Sequence, residues 1–343
     1  MSDNPTNEGD GSTEPMPDVV DSSSPRVSDP GTSEPPAGRR KATKPGRFVR
    51  RHRILVAVGM VLVLLTGTGA GYLWWLNHQI GNIQRVDAGI TEDPAKDGNE
   101  GGKPLNILLL GADNGYNQGG QSVADDMADG QWTKFVHRSD TMIIVHIPAD
   151  RKSVQLVSIP RDTWVHINGY PYGNEHAKIN AAFSYGGPSL ARETVEQVTG
   201  IKIDHLAIID WNGFKDLTSA LGGIKVYIPQ TFYDDSQRIT WERGWHTFEG
   251  QDALAYVRTR HGLENGDFDR IARQQNFLRA TMGKLLSSGT TRNPFKLTKV
   301  VGVITKYLTV DNTWDNSEIR GLALAMRSIH TEDVQFLTAP FGS

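Results

Sequence analysis

The chain has 343 residues, and its 36 Lys and Arg against 39 Asp and Glu give a formal charge of -3, which argues against a general nucleic-acid binder. Its cysteine count is 0, which excludes disulfides, thiolate catalysis and cysteine-ligated zinc together. The average charge conceals a sharp asymmetry at the N-terminal end.

Residues 1–38 carry 8 acidic side chains and 1 basic one among many Pro, Ser, Gly and Thr, a composition with too little to bury and hence predicted to be disordered. The next stretch, 39–53, holds Arg39, Arg40, Lys41, Lys44, Arg47, Arg50, Arg51 and Arg53 and no acid. Residues 54–76 contain no charge and end in Tyr72, Trp74 and Trp75. As a helix they would rise roughly 34 Å, enough for a hydrocarbon core of about 30 Å. The basic block belongs on the cytoplasmic side and the aromatic end at the outer interface. A cleaved signal peptide fits less well, because the preceding tail is long and no small-residue cleavage site follows. The predicted organisation is a cytoplasmic tail over 1–53, a transmembrane helix over 54–76, a polar linker over 77–104 and an extracytoplasmic domain over 105–343.

Within that domain the runs 105–110, 142–147 and 154–159 are apolar, rich in branched residues and bounded by turn residues, which predicts buried strands. A helix is predicted over 188–198, with Pro188 near its start and Gly200 past its end. Residues 203–209 read as a strand, 211–221 as a helix stopped by Gly222-Gly223, and 224–228 as another strand. A long helix over 269–286 has an apolar stripe of Ile271, Phe277, Leu278 and Leu285. Residues 295–308 and 316–329 read as helices, and 334–337 as a closing strand. Strands alternating with helices predict an α/β fold, a mixed central β-sheet sandwiched by helices.

Arginine and aspartate clusters sit at the ends of these elements. Arginine is always charged and binds phosphate oxygens two at a time, so convergence of such clusters would suit a diphosphate, and paired aspartates would suit a magnesium ion bridging its oxygens. Each cluster also has an ordinary structural reading. Asp113 lies past the first strand, where a turn aspartate and a metal ligand are both accommodated. Arg138 and Asp140 enter the second strand two residues apart, on one face of an extended chain, and fit a salt bridge as well as a site. Arg161-Asp162 follows Pro160 at the end of the third strand. Lys178 precedes a predicted helix start at 179–182, where a cation opposes the dipole unless an anion binds nearby. Arg258 and Arg260 flank Thr259. Asp267 suits a helix N-terminus, and Arg270, Arg273 and Gln274 share one side of that helix, which is also how a solvated face would look. No GxxxxGK[ST], HExxH or GxSxG motif is present, and the 10 histidines show no ligand spacing.

In this order the clusters resemble the LytR-CpsA-Psr family of bacterial envelope proteins. The resemblance rests on Asn106-Ile-Leu-Leu-Leu-Gly-Ala-Asp113, Arg138-Ser-Asp-Thr141, Ser158-Ile-Pro-Arg-Asp162, Lys178-Ile-Asn-Ala-Ala182 and Ile203-Asp-His205. It continues through Leu221-Gly-Gly223, Ala253-Leu-Ala-Tyr-Val-Arg-Thr-Arg260 and Gly266-Asp-Phe-Asp-Arg-Ile-Ala-Arg-Gln-Gln275. It implies a magnesium-dependent (or manganese-dependent) phosphotransferase that moves a polyprenyl-pyrophosphate-linked glycopolymer donor onto a peptidoglycan acceptor and releases polyprenyl phosphate. Asp113 and Asp140 would then be metal ligands. Arg138, Arg161, Arg258, Arg260, Arg270 and Gln274 would grip the pyrophosphate, with Asp267 orienting them and Lys178 and Arg273 in support. Asp162 is the candidate for accepting the hydroxyl proton. The sequence departs from the family where Asn114-Gly115-Tyr116, rather than a basic residue, follows Asp113. A non-catalytic polyprenyl-phosphate receptor and a lipid pyrophosphatase are the alternative readings.

Overall fold

The computed structural model describes residues 47–91, 103–113, 123, 127, 132–259 and 267–340. The chain divides into two units, Met1–Leu62 and Val63–Ser343. Helix α1, Arg47–Gly81, begins in the first and ends in the second, and its stretch Gly59–Gly81 is long and apolar enough to cross a membrane.

The second unit continues with β1 (Gln84–Val86), β2 (Leu105–Ala112), β3 (Ser139–Ile147), β4 (Val154–Ile159), the hairpin β5 (Trp164–His166) and β6 (His176–Lys178), helix α2 (Asn180–Thr199) and β7 (His205–Asp210). Then come α3 (Trp211–Ala220), β8 (Ile224–Ile228), β9 (Phe232–Asp234), β10 (Ile239–Trp241) and β11 (Gly244–Phe248). The remainder is α4 (Gly250–Arg258), α5 (Asp267–Leu286), α6 (Ser288–Thr291), α7 (Pro294–Tyr307), β12 (Leu308–Asp311), α8 (Asn316–Ala325) and β13 (Val334–Thr338).

Seven strands form one mixed sheet in the order β1-β12-β7-β2-β3-β4-β13. β2 runs parallel to β7 and antiparallel to β3, and β4 is antiparallel to β3. Both faces are covered, which is why these strands read as unbroken apolar runs rather than alternating ones. Leu108, Leu110, Met142, Ile144, Leu206 and Ile208 pack with Phe183, Ala191 and Val195 of α2 on one face. Their neighbours Ile107, Ile143, Ile147, Leu156 and Ala207 pack on the other with Trp314, Leu278 of α5 and Ile319 of α8. A third cluster joins the ribbon β8–β11 and Phe232 and Trp241 to Tyr256 of α4 and Phe277 of α5. The predicted mixed sheet between helices is the one observed.

Three local expectations shift. The helix starts predicted at 179–182 and at Pro188 belong to one element, α2 from Asn180, which Gly187 (φ 70°) breaks before Pro188 restarts it. A Cβ at Gly187 would come 2.9 Å from the Trp132 ring, so close packing and a left-handed backbone both require glycine there. Leu308, expected to end a helix, instead opens β12, which pairs with β7 and β1. Residues 84–86, expected in the linker, are the edge strand β1. Such short strands are selected by their partners, not by local propensity.

The sheet interior also holds a buried polar pair. Asp311, with 0 % exposure, accepts hydrogen bonds from the Leu206 amide (2.9 Å), the Thr313 amide (3.0 Å) and His205 Nδ1 (3.2 Å), and His205 stacks on Trp314 at 4.4 Å. Burial alone would raise the Asp311 carboxyl, but the hydrogen bond and charge of His205, with Thr313 and the Leu206 amide, outweigh it and hold the carboxyl below its ordinary value. Asp311→Asn removes acceptors from these donors and should destabilise the domain by about 1–3 kcal/mol, read as a lower Tm. A depressed folded value stabilises above the ordinary aspartate value of about 3.9 and is lost as pH falls through the lower folded value. The stability gap between wild type and Asp311→Asn should therefore be full at neutral pH and narrow below about pH 4.

Candidate active site

The topology sends four strand ends to one edge of the sheet. β7, β2 and β4 finish there and the antiparallel β3 starts there, and these strands are adjacent in the order β7-β2-β3-β4. The residues just beyond them are Trp211, Asp113, Arg138 to Asp140, and Arg161-Asp162.

At β2 and β3 a bulge arranges the first two clusters. Gly111 pairs with Thr141 but Ala112 pairs with Ser139, so Asp140 is the extra, unpaired residue. The simple alternation that would put Arg138 and Asp140 on one face is therefore broken, as bulges do where a side chain is re-aimed. A Cβ at Gly111 would stand 2.9 Å from Thr141 Cβ, so the irregularity closes on glycine. Beyond the bulge, the Asp113 amide donates to the Arg138 carbonyl (2.9 Å) and the Arg138 amide donates to Asp113 Oδ1 (2.7 Å). His137 Nδ1 also hydrogen-bonds the Asp113 carbonyl at 2.9 Å, which places the proton on Nδ1.

Arg161 links the third cluster to the second. Its Nη1 pairs with Asp140 Oδ1, its Nε lies 3.5 Å from Asp162 Oδ2, and Asp162 Oδ1 binds Lys178 Nζ at 2.9 Å. Asp140, Arg161, Asp162 and Lys178 thus form a run of alternating charge from β3 through the Pro160 turn to β6. The Arg161 side chain is 11 % exposed, and its buried Nε has no aligned hydrogen-bond acceptor. At 3.5 Å the Asp162 oxygen supplies charge but not a directed bond. Pro160 ends β4, and its carbonyl accepts from the Thr163 amide and hydroxyl, which fixes the turn that carries Arg161 and Asp162.

Arg258 reaches the same edge from α4. Its guanidinium lies 4.0 Å from the centre of the Trp211 ring, and Trp211 follows Asp210, whose Cα pairs with Ala112 beside Asp113. Asp210 caps α3 by accepting from the Gly213 amide at 2.7 Å; burial raises its carboxyl, against the lowering effect of that amide bond. Thr259 is fully buried and turns extended at φ -53°, ψ 128°. Its hydroxyl accepts from Gln237 Nε2 and Trp241 Nε1, both at 3.1 Å, and donates to the Ala255 carbonyl. Gln237 is held in turn by Asp234, whose carboxyl burial would raise but hydrogen bonds from Ser236 and Gln237 lower.

Arg273 and Gln274 brace this turn from α5. Arg273 Nη1 donates to the Thr259 carbonyl (3.1 Å) while its guanidinium lies over Phe232 (4.7 Å) and Tyr256 (5.5 Å), and Gln274 Nε2 donates to the Val257 carbonyl (3.2 Å). Arg273 is 8 % exposed, so it supports the Arg258-Thr259 backbone rather than lying open at the edge. α5 begins at Asp267, two residues before the start predicted at 269, and the side chains of Asp267 and Arg270, and Arg260 altogether, lie outside the described residues.

Sequence reasoning passed over Trp211, Gln237 and Trp241. Their only signal was position: one follows a strand end, and two lie on a short excursion before α4. For a divalent ion, Asp113 and Asp140 offer carboxylates at one end of the β2–β3 pair. Among the described residues no group of three or more histidines and acids that could hold a metal ion forms.

Residues 77–342 match the LytR_cpsA_psr family, and the chain belongs to it. It is 31% identical over 325 residues to the cell wall biosynthesis protein LcpA of Corynebacterium glutamicum, covering 85% of this chain and 60% of that one. It is 36% identical over 191 residues to the polyisoprenyl-teichoic acid–peptidoglycan teichoic acid transferase TagV of Bacillus subtilis, covering 54% of this chain and 45% of that one. The crystal structure of B. subtilis TagV superposes with a TM-score of 0.54 at 31% identity, over 70% of this chain and 85% of that chain. The chain thus spans 60% or less of the length of these two curated relatives.

Two substitutions test the scaffold around Arg258. Thr259→Val leaves Trp241 Nε1 without its acceptor and takes one of three from Gln237 Nε2, and should lower stability by about 1–3 kcal/mol, measured by thermal unfolding. Trp211→Leu removes the ring beneath Arg258, a contact of roughly 0.5–2 kcal/mol, and should lower kcat/KM several-fold or more with little change in Tm.

Proposed function

We propose that the chain is a membrane-anchored phosphotransferase that moves a glycopolymer from a polyprenyl-pyrophosphate carrier onto peptidoglycan. The observation that carries this reading is the gathering of Arg138, Arg161, Lys178 and Arg258 with Asp113, Asp140 and Asp162 at one sheet edge. The names of the transferase relatives support the donor and acceptor classes. The basic block over 39–53, which runs into the start of α1, supports a cytoplasmic N-terminus, with the apolar stretch of α1 as the single span and the sheet domain outside.

In this reading the acceptor hydroxyl oxygen forms a bond to the glycan-side phosphorus, and the bond from that phosphorus to the bridging oxygen breaks. The electron pair leaves with polyprenyl phosphate, and the hydroxyl proton passes to Asp162, which stands between Arg161 and Lys178. Arg138, Arg161 and Arg258 neutralise the phosphate oxygens as charge grows on the leaving group. Lys178 and Asp162 orient one flank, while Arg273 and Gln274 brace the other; the roles of Arg260, Arg270 and Asp267 are those the family resemblance implies. Asp113 and Asp140 would hold a magnesium or manganese ion, which when bound supplies further charge for the pyrophosphate.

Arg161→Ala and Arg258→Ala should each lower the release of polyprenyl phosphate, from a lipid-linked donor with peptidoglycan present, by about 10-fold or more, since a charge-assisted hydrogen bond contributes roughly 1.5–3 kcal/mol. Wild-type rates in both variants would remove them from the reaction. A receptor would release no polyprenyl phosphate, and a pyrophosphatase would release it without polymer joined to peptidoglycan. Activity lost in a chelator should return with Mg2+ or Mn2+, and Asp113→Ala should raise the metal concentration needed for half-maximal rate. Equal metal curves for variant and wild type would remove Asp113 as a ligand.

A further inference from the structure

Beside the charged edge lies a group of aromatic rings that the transfer chemistry leaves unused. Phe135, Tyr172, Tyr170 and Tyr185 close a circuit of ring contacts: 6.3 Å from Phe135 to Tyr172, 5.7 Å from Tyr172 to Tyr170, 5.5 Å from Tyr170 to Tyr185, and 5.7 Å from Tyr185 back to Phe135. The circuit is not core. Tyr172 is 62% exposed and Phe135 38%, while Tyr170 packs inward against the cluster around α2.

The backbone is held in costly shapes to present these rings. Phe135 has φ 64°, a left-handed conformation that a bulky side chain rarely adopts. Its amide donates to the Ser184 carbonyl at 2.7 Å, and Trp132 Nε1 donates to the same oxygen at 3.1 Å, so the loop is pinned to α2 from two points. Across the circuit, Tyr170 and Tyr172 sit on the turn between β5 and β6, where Gly169, Gly173, Asn174 and Glu175 all have positive φ. Glu175 ties that turn together, accepting from the Gly169 amide on its side chain and from the Ile167 amide on its carbonyl.

All three segments run directly into the charged edge. Phe135 precedes Arg138 by one short turn, the β5–β6 turn leads to Lys178, and Tyr185 stands in the first turns of α2 just after Lys178. Lys134 Nζ lies 4.2 Å from the centre of the Tyr185 ring and puts a cation on the shelf's rim.

We propose that this four-ring shelf is a saccharide subsite that seats the glycan strand of the peptidoglycan acceptor; the assignment of acceptor rests on the phosphotransferase reading above. The C–H face of a pyranose stacks on an aromatic ring, and tyrosine hydroxyls reach the sugar hydroxyls around it. The donor carries a pyrophosphate that the arginines can hold by charge. The attacking hydroxyl is neutral and gives them nothing to grip, so its sugar has to be positioned by stacking and hydrogen bonds. Peptidoglycan strands also bear carboxylates, on the lactyl group where no peptide is joined and on the peptide where one is, to which Lys134 is complementary.

The test uses the full chain in detergent micelles with two variants, Tyr172→Ala and Phe135→Gly. The second removes a ring while suiting the left-handed backbone, so loss of fold does not explain its effect. Soluble glycan strands are titrated without donor, and KM is then measured separately for strands and for lipid-linked donor. The proposal expects each variant to bind strands at least tenfold more weakly and to raise the strand KM to match, with the donor KM within twofold of wild type. Unchanged strand binding in both variants overturns it, and so does a donor KM that rises as much as the strand KM. If wild type binds strands, the variants do not, and no transfer occurs with any donor, the glycan shelf stands and the phosphotransferase reading falls.

Discussion

The site depends on one constraint, the delivery of neighbouring strand ends to a single edge of a sheet. β7 and β2 run parallel, β3 runs back between β2 and β4, and so three strand exits and one entry lie side by side. Residues far apart in the chain, Asp113, Arg138, Arg161 and Trp211, meet there without any long-range loop having to find its partner. The register is fixed by burial of both faces, because a shift by one residue would turn Leu108 and Ile107 to the wrong clusters. The apolar core therefore sets the positions of the charges.

Holding like charges close together needs a frame, and the domain provides two kinds. At the β3–β4 end the frame is ionic: Asp140 and Asp162 flank Arg161, and Asp162 stands between it and Lys178. At the α4 end it is a buried network of neutral groups. Thr259 receives Gln237 and Trp241 on its hydroxyl and Arg273 on its carbonyl, which dictates where the chain leaves the helix and where Arg258 points. Networks of this kind specify one geometry because every member left unpaired would cost a buried hydrogen bond.

Much of this was legible in the sequence where a signal was local. The apolar runs that became β2, β3 and β4 lie in the sheet core, and the arginine and aspartate clusters fall just beyond their ends. What was not legible depended on partners distant in sequence. β1 and β12 are only three and four residues long and exist through pairing with each other and with β7. The bulge that leaves Asp140 unpaired lies where Gly111 alone leaves room for Thr141, which no residue count along one strand reveals. Arg273 read as a helix-face cation, yet its contacts with Thr259, Phe232 and Tyr256 bury it as a brace. The aromatic shelf likewise draws its four rings from three segments, none of which forms a motif alone.

The proposed transfer requires Arg161 and Arg258, from opposite sides of the sheet edge, to bind one doubly phosphorylated head group. Calorimetric affinity for a methylene-bridged polyprenyl diphosphonate, which cannot be cleaved, measures this directly in the absence of any acceptor. Replacing either arginine with alanine should weaken binding by about tenfold or more, the scale of one charge-assisted hydrogen bond. Undiminished affinity in either variant would mean that the two guanidinium groups do not share a ligand.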